Sequence, residues 1–128
     1  MDKESPYIQL GGEEGVRRLV DTFYDVMETA PEAADILALH PQDLTGSREK
    51  SFLFLSGWLG GPSLYIEAHG HPRLRARHLP FPIGRKERDA WLLCMDKALE
   101  QLAVDRVLHF QLMQAFQPTA NHMCNQDE

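Results

Sequence analysis

Apolar residues recur along most of the chain at the three- and four-residue spacing of an amphipathic α-helix. The first stripe lies between a Gly11-Gly12 pair and Pro31 and consists of Val16, Leu19, Val20, Phe23 and Met27. Two stripes occupy the second half, namely Trp91, Cys94, Met95, Ala98 and Leu102, then Val104, Leu108, Leu112, Ala115 and Phe116. No segment alternates apolar and polar residues as a half-buried strand does. The pattern predicts an all-α protein.

The middle of the chain predicts shorter helices separated by breakers. A helix over residues 33–39 ends at His40-Pro41, because a residue before proline disfavours helical geometry. Thr45 or Ser47 caps the next helix, which stops at the turn of residues 60–62. Its segment 52–55 is apolar on nearly every side, so we expect burial on more than one face.

Prolines and glycines also delimit the remaining helices. Short helices are expected over residues 63–68 and 72–78, and Pro80 and Pro82 end the second one. Gly84 then opens a long helix. We expect Pro118 to kink or end the last helix, because proline removes a backbone hydrogen bond from a helix interior.

Composition narrows the class of protein. The chain has 128 residues, 43% of them hydrophobic, with a net charge of -6, which fits one folded domain. The acidic balance argues against nucleic acid or an anionic membrane as partner. The amino-terminal residues contain no apolar signal core and no segment is long enough to cross a bilayer, so we expect a soluble cytoplasmic protein. Cys94 and Cys124 form no Cys-x-x-Cys pair, which argues against a zinc knuckle and covalent haem attachment.

His78 stands at the predicted end of a helix, directly before Leu-Pro-Phe-Pro. A free carbonyl at a helix end can accept a hydrogen bond from one imidazole nitrogen and leave the other for a metal. Phe81 and Ile83 would supply an apolar wall beside the ring, as the proximal side of a haem requires. Alternatively, His78 is a surface or capping residue, and His69 with His71 binds a divalent ion at the surface.

Several motifs together are far more specific than this histidine alone. They are Phe23-Tyr24, Trp58-Leu59-Gly60-Gly61-Pro62, Gly70-His71-Pro72-Arg73-Leu74-Arg75 with Arg77-His78, and Glu87-Arg88-Asp89-Ala90-Trp91-Leu92 with Cys94-Met95. In this combination the chain resembles the group II truncated haemoglobins from about Gly11 to Asn125. The resemblance implies a single globin domain, a two-over-two helical sandwich that encloses non-covalent haem b. Residues 1–10 would be an amino-terminal extension.

The resemblance also implies roles for individual residues. His78 would be the proximal iron ligand. The distal, gas-binding side would contain Tyr24, His40, Ser47, Ser51 and Trp91. Lys50, Arg77 and Tyr65 would meet the haem propionates. The porphyrin would be buried by Phe52, Phe54, Leu55, Trp58, Leu74, Phe81, Ile83 and Met95.

Structural roles compete with these assignments. Tyr24 and Trp91 fit simple core packing, and His40 fits a helix end in solvent. Ser47 fits a helix N-cap. Ser51 would bond to its own helix, to Tyr24, to a water or to the gas, and its hydroxyl departs from the apolar residue frequent at this place in the family.

The leading functional expectation is reversible binding of O2, CO or NO to haem iron. Hydrogen-bond donors such as an indole and a phenol would hold a partly charged ligand and slow its release. The alternative is an enzyme that uses haem for NO dioxygenation or peroxidase-like detoxification, with an external reductase as electron donor. A haem-free helical interaction domain is the third possibility. Both a monomer and a homodimer fit the sequence.

Overall fold

The computed structural model describes residues 4–71, 73, 78 and 81–125. Leu74 and Arg77, two of the predicted haem contacts, lie outside the described residues, as does most of the helix predicted over residues 72–78.

The described part of the chain is helical and contains no strand, as the apolar spacing predicted. A short 3₁₀ turn, Pro31–Ala33, lies between the second and third α-helices. The α-helices are α1 (Pro6–Gln9), α2 (Gly12–Thr29), α3 (Ala34–Leu37), α4 (Thr45–Trp58), α5 (Leu64–His69), α6 (Arg85–Gln101) and α7 (Arg106–His122).

The long helices pack as two pairs. Helix α2 packs on both α4 and α6, and α6 packs on α7. The stripe predicted for α2 is buried throughout, and Cys94 of α6 is fully buried as a small apolar residue. Burial raises the pKa of the Cys94 thiol to about 11. These contacts form one core between α2, α4, α6 and α7.

Helix α1 forms within the segment expected to be an extension. The Ser5 hydroxyl accepts a hydrogen bond from the Ile8 amide at 3.3 Å, and the Tyr7 amide donates to the Leu59 carbonyl at 3.0 Å. At Gly15, on the first turns of α2, an added Cβ would collide with the carbonyl oxygen of Leu10. The close approach of α1 to α2 therefore requires glycine there.

The predicted caps of α4 are wrong. The helix begins at Thr45 with Leu44 in the N-cap position, and neither Thr45 nor Ser47 caps it through its side chain. Instead, the Asp43 carboxylate accepts a hydrogen bond from the Thr45 amide at 2.9 Å. Asp43 supplies the acceptor that an exposed amide at the start of a helix needs. The Ser47 hydroxyl is therefore not needed as a cap.

Pro118 was expected to kink or end the last helix. Helix α7 does not end there but continues to His122. Pro118 removes the hydrogen bond to the carbonyl of residue 114. Both Gln114 and Pro118 are exposed, so water can hydrate that carbonyl. The helix can therefore pass through the proline at modest cost. No helix in the described part of the chain is long and apolar enough to cross a membrane.

Candidate functional site

A cavity of about 510 Å³ lies between α2, α3, α4, α6 and α7. Its wall includes His78 and the two residues Phe81 and Ile83 that follow it in the next loop. All five residues predicted for a distal pocket also line it, namely Tyr24, His40, Ser47, Ser51 and Trp91. The fold therefore brings an imidazole and a set of polar side chains into one largely apolar space.

The phenol of Tyr24 is buried and bonded across the interface between α2 and α4. Its oxygen lies 2.8 Å from the Ser51 hydroxyl oxygen, and either group can be the donor. Burial raises the pKa of Tyr24, while the Ser51 hydrogen bond and the charge of Arg48 act in the opposite direction. Tyr24 is therefore a neutral phenol at physiological pH, and Ser51 bonds to it rather than only to its own helix.

Arg48 holds α4 against α2 beside this pair. Its guanidinium contacts three α2 carboxylates, Asp21 at 3.2 Å and Asp25 and Glu28 at 2.9 Å each. The same guanidinium lies 5.7 Å from the centre of the Tyr24 ring, within range of a cation–π contact. These contacts tie α4 to α2 next to Tyr24. They therefore limit the movement of one helix relative to the other at this site.

His40 presents a defined tautomer. Its Nδ1 lies 2.9 Å from the Ile36 carbonyl oxygen, and a carbonyl can only accept, so Nδ1 carries the proton. In the neutral ring Nε2 is then an acceptor. The imidazole edge also contacts the Tyr24 ring, with centroids 5.9 Å apart. His40 is thus an element of the cavity wall and not a helix-end residue in solvent.

Trp91 packs between two phenylalanines of the cavity wall. Its ring lies 5.2 Å from that of Phe23 and 5.4 Å from that of Phe116, centroid to centroid. Among the described residues, no group accepts a hydrogen bond from its indole N–H. The packing holds the indole in the cavity wall and leaves a donor for a bound molecule.

Comparisons with known proteins identify the family of this chain. Residues 5–125 match the family model of bacterial-like globins. The chain is 45% identical to a group 2 truncated haemoglobin of Bacillus subtilis over 97% of its own length and 91% of that protein.

Solved structures show the same likeness. A cold-adapted truncated haemoglobin from Pseudoalteromonas haloplanktis superposes with a TM-score of 0.93 at 45% identity, covering 96% of this chain and 99% of that one. A group II 2-on-2 haemoglobin from Agrobacterium tumefaciens gives a TM-score of 0.93 at 43% identity, covering 99% and 98%.

The chain belongs to the bacterial-like globins and is a group II truncated haemoglobin. The predicted two-over-two fold is thereby confirmed, and membership of the family makes this a haem-binding globin.

Most of the residues predicted to contact the porphyrin or its propionates line the cavity of this globin. They are Lys50, Phe54, Leu55, Tyr65, Phe81, Ile83 and Met95. Phe52 and Trp58 are not among the described lining residues. Phe52 lies on the opposite face of α4, with its ring 3.8 Å from the Arg17 guanidinium. Trp58 stacks on Phe116 at 4.4 Å and so supports the cavity wall from behind.

A second group of lining residues is not marked by the sequence motifs. These include Ile36, Leu39, Glu87, Arg88, Phe116, Thr119, Ala120 and Met123. The last four fall at 0, +3, +4 and +7 along α7 and its C-cap residue Met123, a helical spacing that is visible in the sequence. The stripe predicted for this helix ends at Phe116, two residues before Pro118.

The cavity fits the cofactor of this family. Its volume is within the range of about 300–1,000 Å³ found for cofactor pockets, and such pockets are mainly apolar with a few placed polar groups. A single imidazole is sufficient protein ligand for a metal that arrives with porphyrin nitrogens. Lys50 is exposed where it lines the cavity, so its ammonium can meet a carboxylate that reaches solvent.

Proposed function

We propose that this globin holds haem b non-covalently with His78 as the proximal ligand of the iron, and that it binds O2, CO and NO on the other side of the haem. The observation that carries the proposal is the shared cavity, which His78 lines together with Tyr24, Ser51 and Trp91. Haem supplies an iron with an open position for a diatomic gas. The chain supplies the ligand below it and the hydrogen-bond donors above it.

His78 suits the proximal role because of its surroundings. It is half-buried and lines the cavity with Phe81, Ile83 and Met123, which are apolar. These apolar neighbours would keep water away from a metal bound to the imidazole, as the proximal side of a haem requires.

The distal donors are not equivalent. The indole N–H of Trp91 can only donate. Tyr24 can donate to a gas only when Ser51 donates to the phenol oxygen, because each hydroxyl has one proton. His40 already uses its Nδ1 proton on Ile36. Trp91 is therefore the principal donor in this proposal, and Tyr24 is a conditional one.

The haem propionates are assigned to Lys50 and Tyr65, with Arg77 outside the described residues. Tyr65 is buried and Lys50 is exposed. An exposed ion pair contributes about 0–1 kcal/mol, so Lys50 orients the haem more than it retains it. Apolar burial by side chains such as Phe54, Leu55 and Met95 supplies most of the affinity.

Replacement of Trp91 tests the distal assignment. Trp91→Phe removes the indole N–H and keeps an aromatic ring. A hydrogen bond to a partly charged ligand is worth about 1–2 kcal/mol, so O2 should dissociate roughly 5- to 30-fold faster, as measured by stopped-flow mixing of the oxygenated protein with CO.

The matched control is Trp58→Phe, since Trp58 stacks behind Phe116 and is not among the described lining residues. It should leave the O2 dissociation rate near that of the wild type. Equal rates in Trp91→Phe and the wild type would refute the donor role of Trp91.

A further inference from the structure

We propose that Asn125 is a positioning residue for His78: its side-chain amide clamps the main chain at His78, Phe81 and Ile83 and thereby fixes the direction in which the imidazole leaves the backbone. The inference rests on the proposed function, in which His78 binds the haem iron. Asn125 itself touches neither haem nor gas in this account and acts only through His78.

The clamp consists of hydrogen bonds between Asn125 and three residues of that loop. The Asn125 Nδ2 donates to the carbonyl of His78 at 3.2 Å and to that of Phe81 at 2.9 Å. The Asn125 Oδ1 accepts from the Ile83 amide at 3.0 Å, and the Asn125 main-chain amide donates to the Ile83 carbonyl at 2.7 Å. One residue thus bonds to both ends of the loop.

The loop needs these partners because of its composition. Residues 80 and 82 are prolines, which have no amide proton, so the segment 79–83 has few donors of its own. Within the described residues, the loop makes one internal turn bond, from the Phe81 amide to the His78 carbonyl at 3.0 Å. A side-chain amide offers both donors and an acceptor, so Asn125 can satisfy carbonyls and an amide together.

The clamp contacts the proposed iron ligand, His78, at its main-chain carbonyl. It accepts from both the Phe81 amide and the Asn125 side chain. Fixing this carbonyl limits rotation of the His78 main chain and hence the direction of the Cα–Cβ bond. Hydrogen-bond partners that orient a metal-ligating side chain change metal affinity by about 10- to 100-fold when removed, and we expect an effect of this order from the main-chain restraint.

The same segment also connects the clamp to the cavity. Thr119, Ala120 and Met123 line the cavity, and Asn125 follows them after the end of α7. The Cys124 thiol lies 3.7 Å from the Gly84 carbonyl, directly beyond the clamped loop. The chain after α7 therefore supplies cavity wall and loop restraint together.

Two variants separate the halves of the clamp. Asn125→Asp keeps an acceptor for the Ile83 amide but replaces the donor to His78 and Phe81 with a carboxylate oxygen. Asn125→Ala removes both side-chain halves and keeps only the main-chain bond to the Ile83 carbonyl. Gln117→Ala, an exposed amide on α7, is the matched control. The readouts, taken on the folded haem-loaded proteins, are the iron–histidine stretching band of the ferrous form, haem transfer to excess apomyoglobin, and hydrogen exchange of the Ile83 amide.

Both Asn125 variants should shift the iron–histidine band and release haem about 10- to 100-fold faster, while Gln117→Ala matches the wild type. The Ile83 amide should exchange faster in Asn125→Ala than in Asn125→Asp. If Asn125→Asp retains the wild-type band and haem-transfer rate, the amide does not position His78 and the inference is overturned. A wild-type protein without any iron–histidine band would instead refute the proposed function.

Discussion

At the scale of single residues, the Tyr24 hydroxyl determines how many donors the distal side can offer. It shares one short hydrogen bond with Ser51, so the direction of that bond decides whether the phenol proton is available. The Ser51 bond lowers the pKa of Tyr24, against the larger effect of burial. When Ser51 donates to the phenol oxygen, Tyr24 keeps its own proton for a ligand.

Ser51→Ala should therefore raise the pKa of Tyr24 still further, because burial would remain and one lowering influence would be gone. The pKa is read from tyrosinate absorbance, as the difference between titrations with and without Tyr24→Phe in the same background. Ser47→Ala, which removes a hydroxyl from the same cavity wall, should leave the Tyr24 titration unchanged. An unchanged or lowered Tyr24 pKa in Ser51→Ala would contradict this picture.

The raised pKa also predicts how stability depends on pH. Unfolded Tyr24 ionises near pH 10, and the folded phenol ionises at higher pH. Its contribution to stability is therefore complete below about pH 10 and is lost as the pH rises through the folded pKa. In Ser51→Ala that window extends to higher pH.

At the scale of helices, the apolar periodicity correctly predicted which residues are buried in the core. It failed where a polar neighbour or solvent exposure determines the local structure. The α2 stripe was correct because five apolar residues on one face leave a single way to bury them. The cap of α4 was wrong because Asp43, before the helix, performs that function. Phe52 was assigned to the cavity although it lies two residues, about half a turn, from Phe54 and so faces away.

The Arg48 network should make a measurable contribution to the contact between α2 and α4. Its three carboxylate partners are about half exposed or more, so solvent screens each pair, and we expect Arg48→Gln to lower the free energy of unfolding by about 1 kcal/mol. Urea unfolding at low and high salt measures this change. The more exposed Lys86–Asp35 pair is the control, and Lys86→Gln should cost less. A loss that is equal in the two variants would contradict a special role for Arg48.

Pro118 gives a prediction of the opposite sign. It lies in the interior of α7 on the exposed face, where it costs a hydrogen bond and contributes little burial. Pro118→Ala should raise the free energy of unfolding by about 1–3 kcal/mol in urea titration. A decrease in the free energy of unfolding would show that the proline is needed to direct the end of α7, which carries the cavity residues Thr119 and Ala120.

At the scale of the whole molecule, the site is assembled from segments that are distant in sequence. The family motifs located His78, Tyr24 and Trp91, because each of them has a recognisable sequence neighbourhood. They could not locate Asn125, whose bonds to residues 78–83 span more than forty positions and have no local pattern. Ile36 and Leu39 were missed for the same reason, since tertiary packing alone brings α3 to the cavity.

The most direct test of the account is the absorption spectrum of the haem-loaded protein in its ferric, ferrous and CO-bound states, for the wild type and His78→Gly. The wild type should bind one haem per chain and show a Soret band that shifts on reduction and again with CO. His78→Gly should lose the wild-type ferrous spectrum and regain it with added imidazole, whereas His71→Gly should keep it. A ferrous spectrum unchanged by His78→Gly, or a wild type without stoichiometric haem, would contradict the central claim.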